Sequence, residues 1–169
     1  MRRRSKSVDS AVTILLTSHT FPNMALADSI HPKILLVDDS RDGRLVRKSL
    51  LEEVGCHVLI AGNGEEGLRL YEGNTFDVVV TDYRMPRMDG KELIRNIRLL
   101  NPNARIILLS RLVEPLGLTE ESTGADVVIA KSSNEPAHLL RSVKRLANRG
   151  PARKPPTTQK RVLAARVAR

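Results

Sequence analysis

Asp38, Asp39, Asp82, Ser110 and Lys131 are the residues whose types and order point to chemistry. Each stands at or just beyond the end of a short apolar run. Ile34-Leu-Leu-Val37 leads into Asp38-Asp39, Val78-Val-Val-Thr81 into Asp82 and Ile106-Ile-Leu-Leu109 into Ser110, while Val127-Val-Ile129 closes just before Lys131. Three carboxylates gathered in one place repel, since two unit charges roughly 4 Å apart cost about 4 kcal/mol at an effective dielectric of about 20. A divalent cation removes that cost. Mg²⁺ is hard, takes oxygen donors in an octahedron, keeps several waters and bridges one or two carboxylates to phosphate oxygens. A carboxylate can itself accept a phosphoryl group as an aspartyl-phosphate. An ammonium and a hydroxyl then neutralise the charge spread over the transferring oxygens. The set has the parts of a metal-assisted phosphoryl-acceptor site, with Asp82, central in the constellation, as the best nucleophile.

Those tips need elements to hold them. The four runs and a fifth, Val58-Leu-Ile-Ala61, are short, β-branched and bounded by polar or glycine-containing stretches, as buried parallel strands are. Helical period lies between them: Leu45, Leu50, Leu51 and Val54 share a face, as do Leu93, Ile94, Ile97 and Leu100, and Leu139, Leu140, Val143 and Leu146 form a third stripe. Gly64 to Tyr71 reads as a shorter helix carrying Leu68, and Pro115 to Thr123 as a helix weakened by Pro115 and Gly117. The resulting order is β-α repeated five times, an α/β pattern that predicts a parallel sheet with helices on both faces and right-handed crossovers. In such open sheets ligands bind outside the carboxyl ends of the strands where strand order reverses, which for the order 2-1-3-4-5 lies between strands one and three. Those strands carry Asp38-Asp39 and Asp82. Neighbouring strands are about 4.8 Å apart, so Ser110 on strand four has one spacing to cross and Lys131 on strand five has two, roughly 10 Å. The long side chain stands where the long reach is needed.

Residues 33 to 149 resemble a receiver domain of a two-component response regulator. The resemblance is carried by Ile34-Leu-Leu-Val-Asp38-Asp39, Val79-Val-Thr-Asp82-Tyr-Arg-Met-Pro86, Met88-Asp89-Gly90, Leu108-Leu-Ser110 and Lys131, in identity and in spacing. It implies a flavodoxin-like (βα)5 doubly wound sheet of five parallel strands, and the order 2-1-3-4-5 used above rests in part on it. It also implies roles. Asp82 would be the phosphoacceptor, supplied by a phosphohistidine of a sensor histidine kinase or phosphotransfer protein. Asp39 and Asp82 would hold Mg²⁺ directly with the backbone carbonyl of Arg84, and Asp38 directly or through water. Lys131 would pair with the acyl phosphate and Ser110 would move to hydrogen-bond it. Such a chain is a phosphoacceptor signalling protein, not an enzyme with a separate substrate, although it can catalyse its own phosphorylation and dephosphorylation.

Three positions depart from the family pattern. The residue after the switch hydroxyl, usually small, is Arg111, which would crowd the phosphate or add a positive charge beside it. Ser132 follows the lysine where proline is usual, so the family's cis peptide is not expected, a non-proline cis bond costing about 3 kcal/mol. Val128 stands where the family has an aromatic switch, which removes the usual coupling between hydroxyl and aromatic. A phosphate still brings about two negative charges and three strong acceptors, and residues 111 to 124 and about 135 to 148 are the surfaces expected to respond.

Length and charge frame the rest. In a chain of 169 residues the receiver is expected to be the one folded domain, a stand-alone unit. Of a formal net charge of +9, most lies in the ends, and residues 151–169 contain no acid. Residues 150–169 read as a basic tail, disordered or partly helical at Lys160-Arg-Val-Leu-Ala-Ala-Arg-Val-Ala-Arg169. Residues 1–32 read as a disordered extension. Arg2-Arg-Arg-Ser-Lys6 and Ala11-Val-Thr-Ile-Leu-Leu16 imitate a signal peptide loosely, but Ser18-His-Thr-Phe-Pro-Asn23 interrupts it, and Met24 is a plausible true beginning. No stretch reaches transmembrane length, and Cys56, the single cysteine, fits a reducing cytoplasm.

Two function classes follow. The favoured one is a cytoplasmic phosphorelay component that signals through an unidentified protein partner, with homodimerisation left open. The alternative is a nucleic-acid-associated regulator in which the receiver gates the basic tail. With two Phe, two Tyr and no Trp, the chain has no stacking platform for single strands. A hydrolase of another aspartyl-phosphate family is disfavoured, because Asp38-Asp-Ser lacks the required Asp-x-Asp arrangement and no separate general base is evident.

Overall fold

Five parallel strands form the frame of the computed structural model, which describes residues 31–148. They are β1 (Lys33–Val37), β2 (His57–Ala61), β3 (Val78–Asp82), β4 (Ile106–Ser110) and β5 (Val127–Ala130), in the spatial order β2-β1-β3-β4-β5. The strands of β1, β3 and β4 are almost wholly buried because both sheet faces are covered. Ile34, Leu36, Val78, Val80, Ile107 and Leu109 point to one face, where Leu51 of α1 (Arg41–Glu53) and Leu139, Val143 and Leu146 of α6 (Glu135–Ala147) cover them. Leu35, Val37, Val79, Ile106 and Leu108 point to the other, under Leu93, Ile94 and Ile97 of α3 (Gly90–Leu100), with Leu68 of α2 (Gly64–Glu72) packed alongside. The sheet is doubly wound, with the expected order.

Local chemistry starts the longer helices where the chain leaves the strand tips. Ser40 caps α1 by accepting from the Gly43 N–H, Asn63 caps α2 through the Glu66 N–H, and Asp89 caps α3 through the Glu92 N–H. Gly90 is required by packing: a Cβ there would lie 2.1 Å from the backbone oxygen of Asp82. The start of α3 is thus pressed against the tip of β3.

Two readings of the helices need correction. The fourth helix is not one element across Pro115–Thr123. It is two short ones, α4 (Val113–Leu116) and α5 (Glu120–Thr123), separated where Gly117 turns into the left-handed region at φ 57°. Pro115 and Gly117 do more than weaken the helix, because the left-handed residue ends it. The apolar stripes are also narrower than their periodicity suggests. Leu51 is fully buried, but Leu45, Val54 and Leu100 are exposed, since Val54 and Leu100 stand at helix ends and Leu45 lies off the packed side of α1. Among the described residues there is no cis peptide, in line with Ser132 following Lys131. No helix among them is long and apolar enough to cross a membrane. The readings of residues 1–30 and 149–169 lie outside the described residues.

Candidate functional site

Strand register brings the expected residues together. Val37 is level with Thr81, Asp82 with Leu109, and Ser110 with Ala130, so Asp38, Asp82, Ser110 and Lys131 emerge at one end of the sheet. The ladder continues past the strands: the Asp38 N–H donates to the Ala61 carbonyl, the Tyr83 N–H to Leu109 and the Lys131 N–H to Ser110. The tips are therefore fixed by backbone bonds, not by their side chains.

One oxygen from each of Asp38, Asp39 and Asp82 lies within 4.8 Å of the others. Asp38 is fully buried and each of its carboxylate oxygens is engaged. The Ser40 N–H donates to Oδ1 at 2.8 Å, while Arg47 Nη1 at 2.9 Å and Lys131 Nζ at 3.2 Å share Oδ2. Asp39 is exposed at the mouth. Asp82 stands between, accepting from the Tyr83 N–H at 2.7 Å on Oδ1 and from Lys131 Nζ at 2.6 Å on Oδ2. Burial pushes the Asp82 carboxyl up, Lys131 pulls it down by hydrogen bond and charge, Asp38 pushes it up and the Tyr83 N–H pulls it down; the balance lies above the usual carboxylate range.

Asp39, Asp82, Arg84, Ser110, Arg111 and Lys131 line a cavity of about 340 Å³ over this cluster. Asp38, fully buried, does not line it. Ser110 is buried, and its hydroxyl accepts from the Leu112 N–H at 2.9 Å, so the β4–α4 connection is tied to it. Arg84 and Arg111 are exposed cations on the cavity wall. Val128 is half-buried against the α3 face of the sheet.

Sequence reasoning missed two members of this site. Arg47 of α1 reaches Asp38, and its guanidinium also grips Glu135, the first residue of α6, through Nε at 2.5 Å and Nη2 at 3.0 Å. Arg44 donates to the backbone oxygen of Asp38. Burial works against the Arg47 charge, yet Glu135, Asp38 and Asp82 outweigh it and raise the guanidinium above its ordinary value. The signal was there: Arg47 stands four residues before Leu51, on the buried side of an amphipathic helix.

A family model described as the response regulator receiver domain matches residues 34–144. This chain belongs to the response regulator receiver domain family. The receiver is 35% identical over 120 residues to a gliding motility regulatory protein of Myxococcus xanthus, covering 68% of this chain but only 15% of that protein. It is 33% identical over 113 residues to a probable chemotaxis protein CheY of Rhizobium etli, covering 64% of this chain and 85% of that one. Among solved structures, a response regulator protein of Thermotoga maritima, TrrA, in complex with Mg²⁺-BeF, is 34% identical, covers 68% of this chain and 98% of its own, and superposes with a TM-score of 0.62. Receivers of this family belong to two-component signalling and are not enzymes in the usual sense.

Proposed function

We propose that this receiver accepts a phosphoryl group on Asp82 from a phosphohistidine of a sensor histidine kinase or phosphotransfer protein, and signals as a stand-alone cytoplasmic unit by phosphorylation-dependent protein binding. The observation that carries the reading is the contact of Lys131 Nζ with Asp82 Oδ2 at 2.6 Å beside two further carboxylates.

The donor set fits Mg²⁺, because every candidate ligand is a hard oxygen and an uncompensated acidic cluster repels itself. Asp38, Asp39, Asp82 and the backbone carbonyl of Arg84 would hold the ion. When bound it supplies positive charge to the transferring oxygens. The chain's own residues do the rest. Asp82, fixed by the Tyr83 N–H, presents a carboxylate oxygen to phosphorus; the P–N bond of the donor breaks as the P–O bond forms, and the histidine leaves as neutral imidazole once it regains a proton. Lys131 keeps its charge beside the new acyl phosphate, and Ser110, released from the Leu112 N–H, supplies a hydroxyl to it. Arg111, on the cavity wall with Arg84, adds a further cation within the same space.

Incubation with Mg²⁺ and a phosphodonor, followed by intact mass, is expected to add one phosphoryl group to the wild type and none to Asp82→Asn. Equal incorporation by both would overturn Asp82 as acceptor. The reading in which the basic tail binds nucleic acid rests on residues 151–169, outside the described residues, and no observation favours it.

A further inference from the structure

Arg47 spends its guanidinium on two acids from different parts of the fold. Its Nε and Nη2 form a two-toothed pair with Glu135, at 2.5 and 3.0 Å, and its Nη1 lies 2.9 Å from Oδ2 of Asp38. The side chains of Arg47, Glu135 and Asp38 are 12%, 11% and 0% exposed, so solvent screens these contacts little. Glu135 is the first residue of α6, whose N-cap Asn134 makes no side-chain capping bond. The ion pair therefore ties the first turn of α6 to the acidic site.

The charges of this network leave a defined deficit. In ion pairs, Asp38, Asp82 and Glu135 meet Arg47 and Lys131, and with Asp39 beside them the four carboxylates outnumber these two cations, an excess that a divalent cation would offset alongside the exposed Arg84 and Arg111 of the cavity wall. That cation must share Asp38 with both side chains already on its Oδ2. Lys131 is a point charge on a flexible stem and can move toward a phosphoryl group. Arg47 cannot retreat alone, because its planar fork is fixed on Glu135.

We propose that Arg47 is a positioning residue that couples cation occupancy of the acidic site to the first turn of α6 through Glu135. The inference rests on the metal-binding reading above and adds the route by which the site reaches an outer helix without an aromatic at Val128. Coupling is reciprocal, so a partner that draws Glu135 away from Arg47 would weaken cation binding at Asp38. Glu135 acts here as a counter-charge. Without it, the full Arg47 charge bears on the ion's own ligand.

The test uses the full chain and Mg²⁺ alone, with affinity measured by calorimetry and amide exchange followed across residues 135–140. Glu135→Gln is expected to weaken Mg²⁺ binding by about fivefold or more, within the usual range of site-to-site coupling. The double variant Arg47→Met with Glu135→Gln removes both charges and leaves no buried ion unpaired, so it is expected to recover affinity to within about threefold of wild type. Mg²⁺ is expected to change exchange at residues 135–140 in the wild type and to leave it unchanged in the double variant, although that variant still binds the ion. Unaltered affinity in Glu135→Gln, or the same Mg²⁺-dependent exchange in wild type and double variant, would overturn the coupling while leaving phosphorylation of Asp82, read separately by mass, untouched. Failure of the wild type to bind Mg²⁺ would overturn the coupling and the metal site together.

Discussion

Asp82 combines two opposed environments on its two oxygens: a buried setting that favours the neutral acid and a lysine that favours the anion. Because burial outweighs the lysine, this carboxyl holds a proton more tightly in the folded chain than in the unfolded one. Its stabilising contribution is complete below the unfolded value, about 3.9 for Asp, and is lost as pH rises through the elevated folded value. Asp82→Asn holds the neutral shape at every pH. In metal-free buffer the variant is therefore expected to melt above the wild type at pH 7, with the gap closing as pH falls toward about 4. The gap should amount to a few degrees, since 1 kcal/mol moves the melting temperature of a domain of this size by about 4–8 °C. Melting followed by circular dichroism between those pH values checks it; a gap that stays constant would refute the account.

At the scale of elements, the site depends on how closely α3 begins against β3. Gly90 is the first residue of α3, and in helix interiors alanine is intrinsically preferred to glycine by about 1 kcal/mol. The fold reverses that preference. An added Cβ would meet the backbone oxygen of Asp82 at 2.1 Å, and neither backbone can yield without moving the Asp82 carboxylate. Gly90→Ala is expected to lose about 1–3 kcal/mol in urea unfolding. A gain in stability would mean that α3 can shift freely from the strand tip. The broken fourth helix has the opposite character: α4 and α5 are four residues each, bury only Thr123 between them and are joined through Gly117. Ser110 holds its near end through the Leu112 N–H, so any movement of that hydroxyl releases the segment.

Residues 31–148 build a buried parallel sheet whose two faces are sealed by separate sets of helices. Cys56 reports on that sealing. It is 8% exposed, its N–H donates to the Leu51 carbonyl at 3.1 Å, and burial pushes its thiol up. The thiolate is the reactive form, and here it is suppressed as well as shielded. Alkylation of Cys56 at neutral pH is expected to be slow in the native protein and to rise in step with global unfolding in urea. Rapid modification without denaturant would show that the α1–β2 edge opens on its own.

The strands and their acidic, hydroxyl and ammonium tips were legible in the sequence. A strand buried on both faces is apolar at nearly every position, and the charged or hydroxyl residue that closes it marks where the chain reaches the sheet's end. Ser40, Asn63 and Asp89 likewise cap locally, through bonds to residues three positions ahead. Contacts set by the packing of distant elements were not legible. Leu45 and Val54 share a helical period with Leu51, yet only Leu51 is covered, because α1 touches the sheet along a narrow line. Arg47 and Glu135, 88 residues apart, have no local reason to meet. Only the doubly wound sheet, by laying α1 and α6 on one face, brings them together and completes the charge set around Asp38.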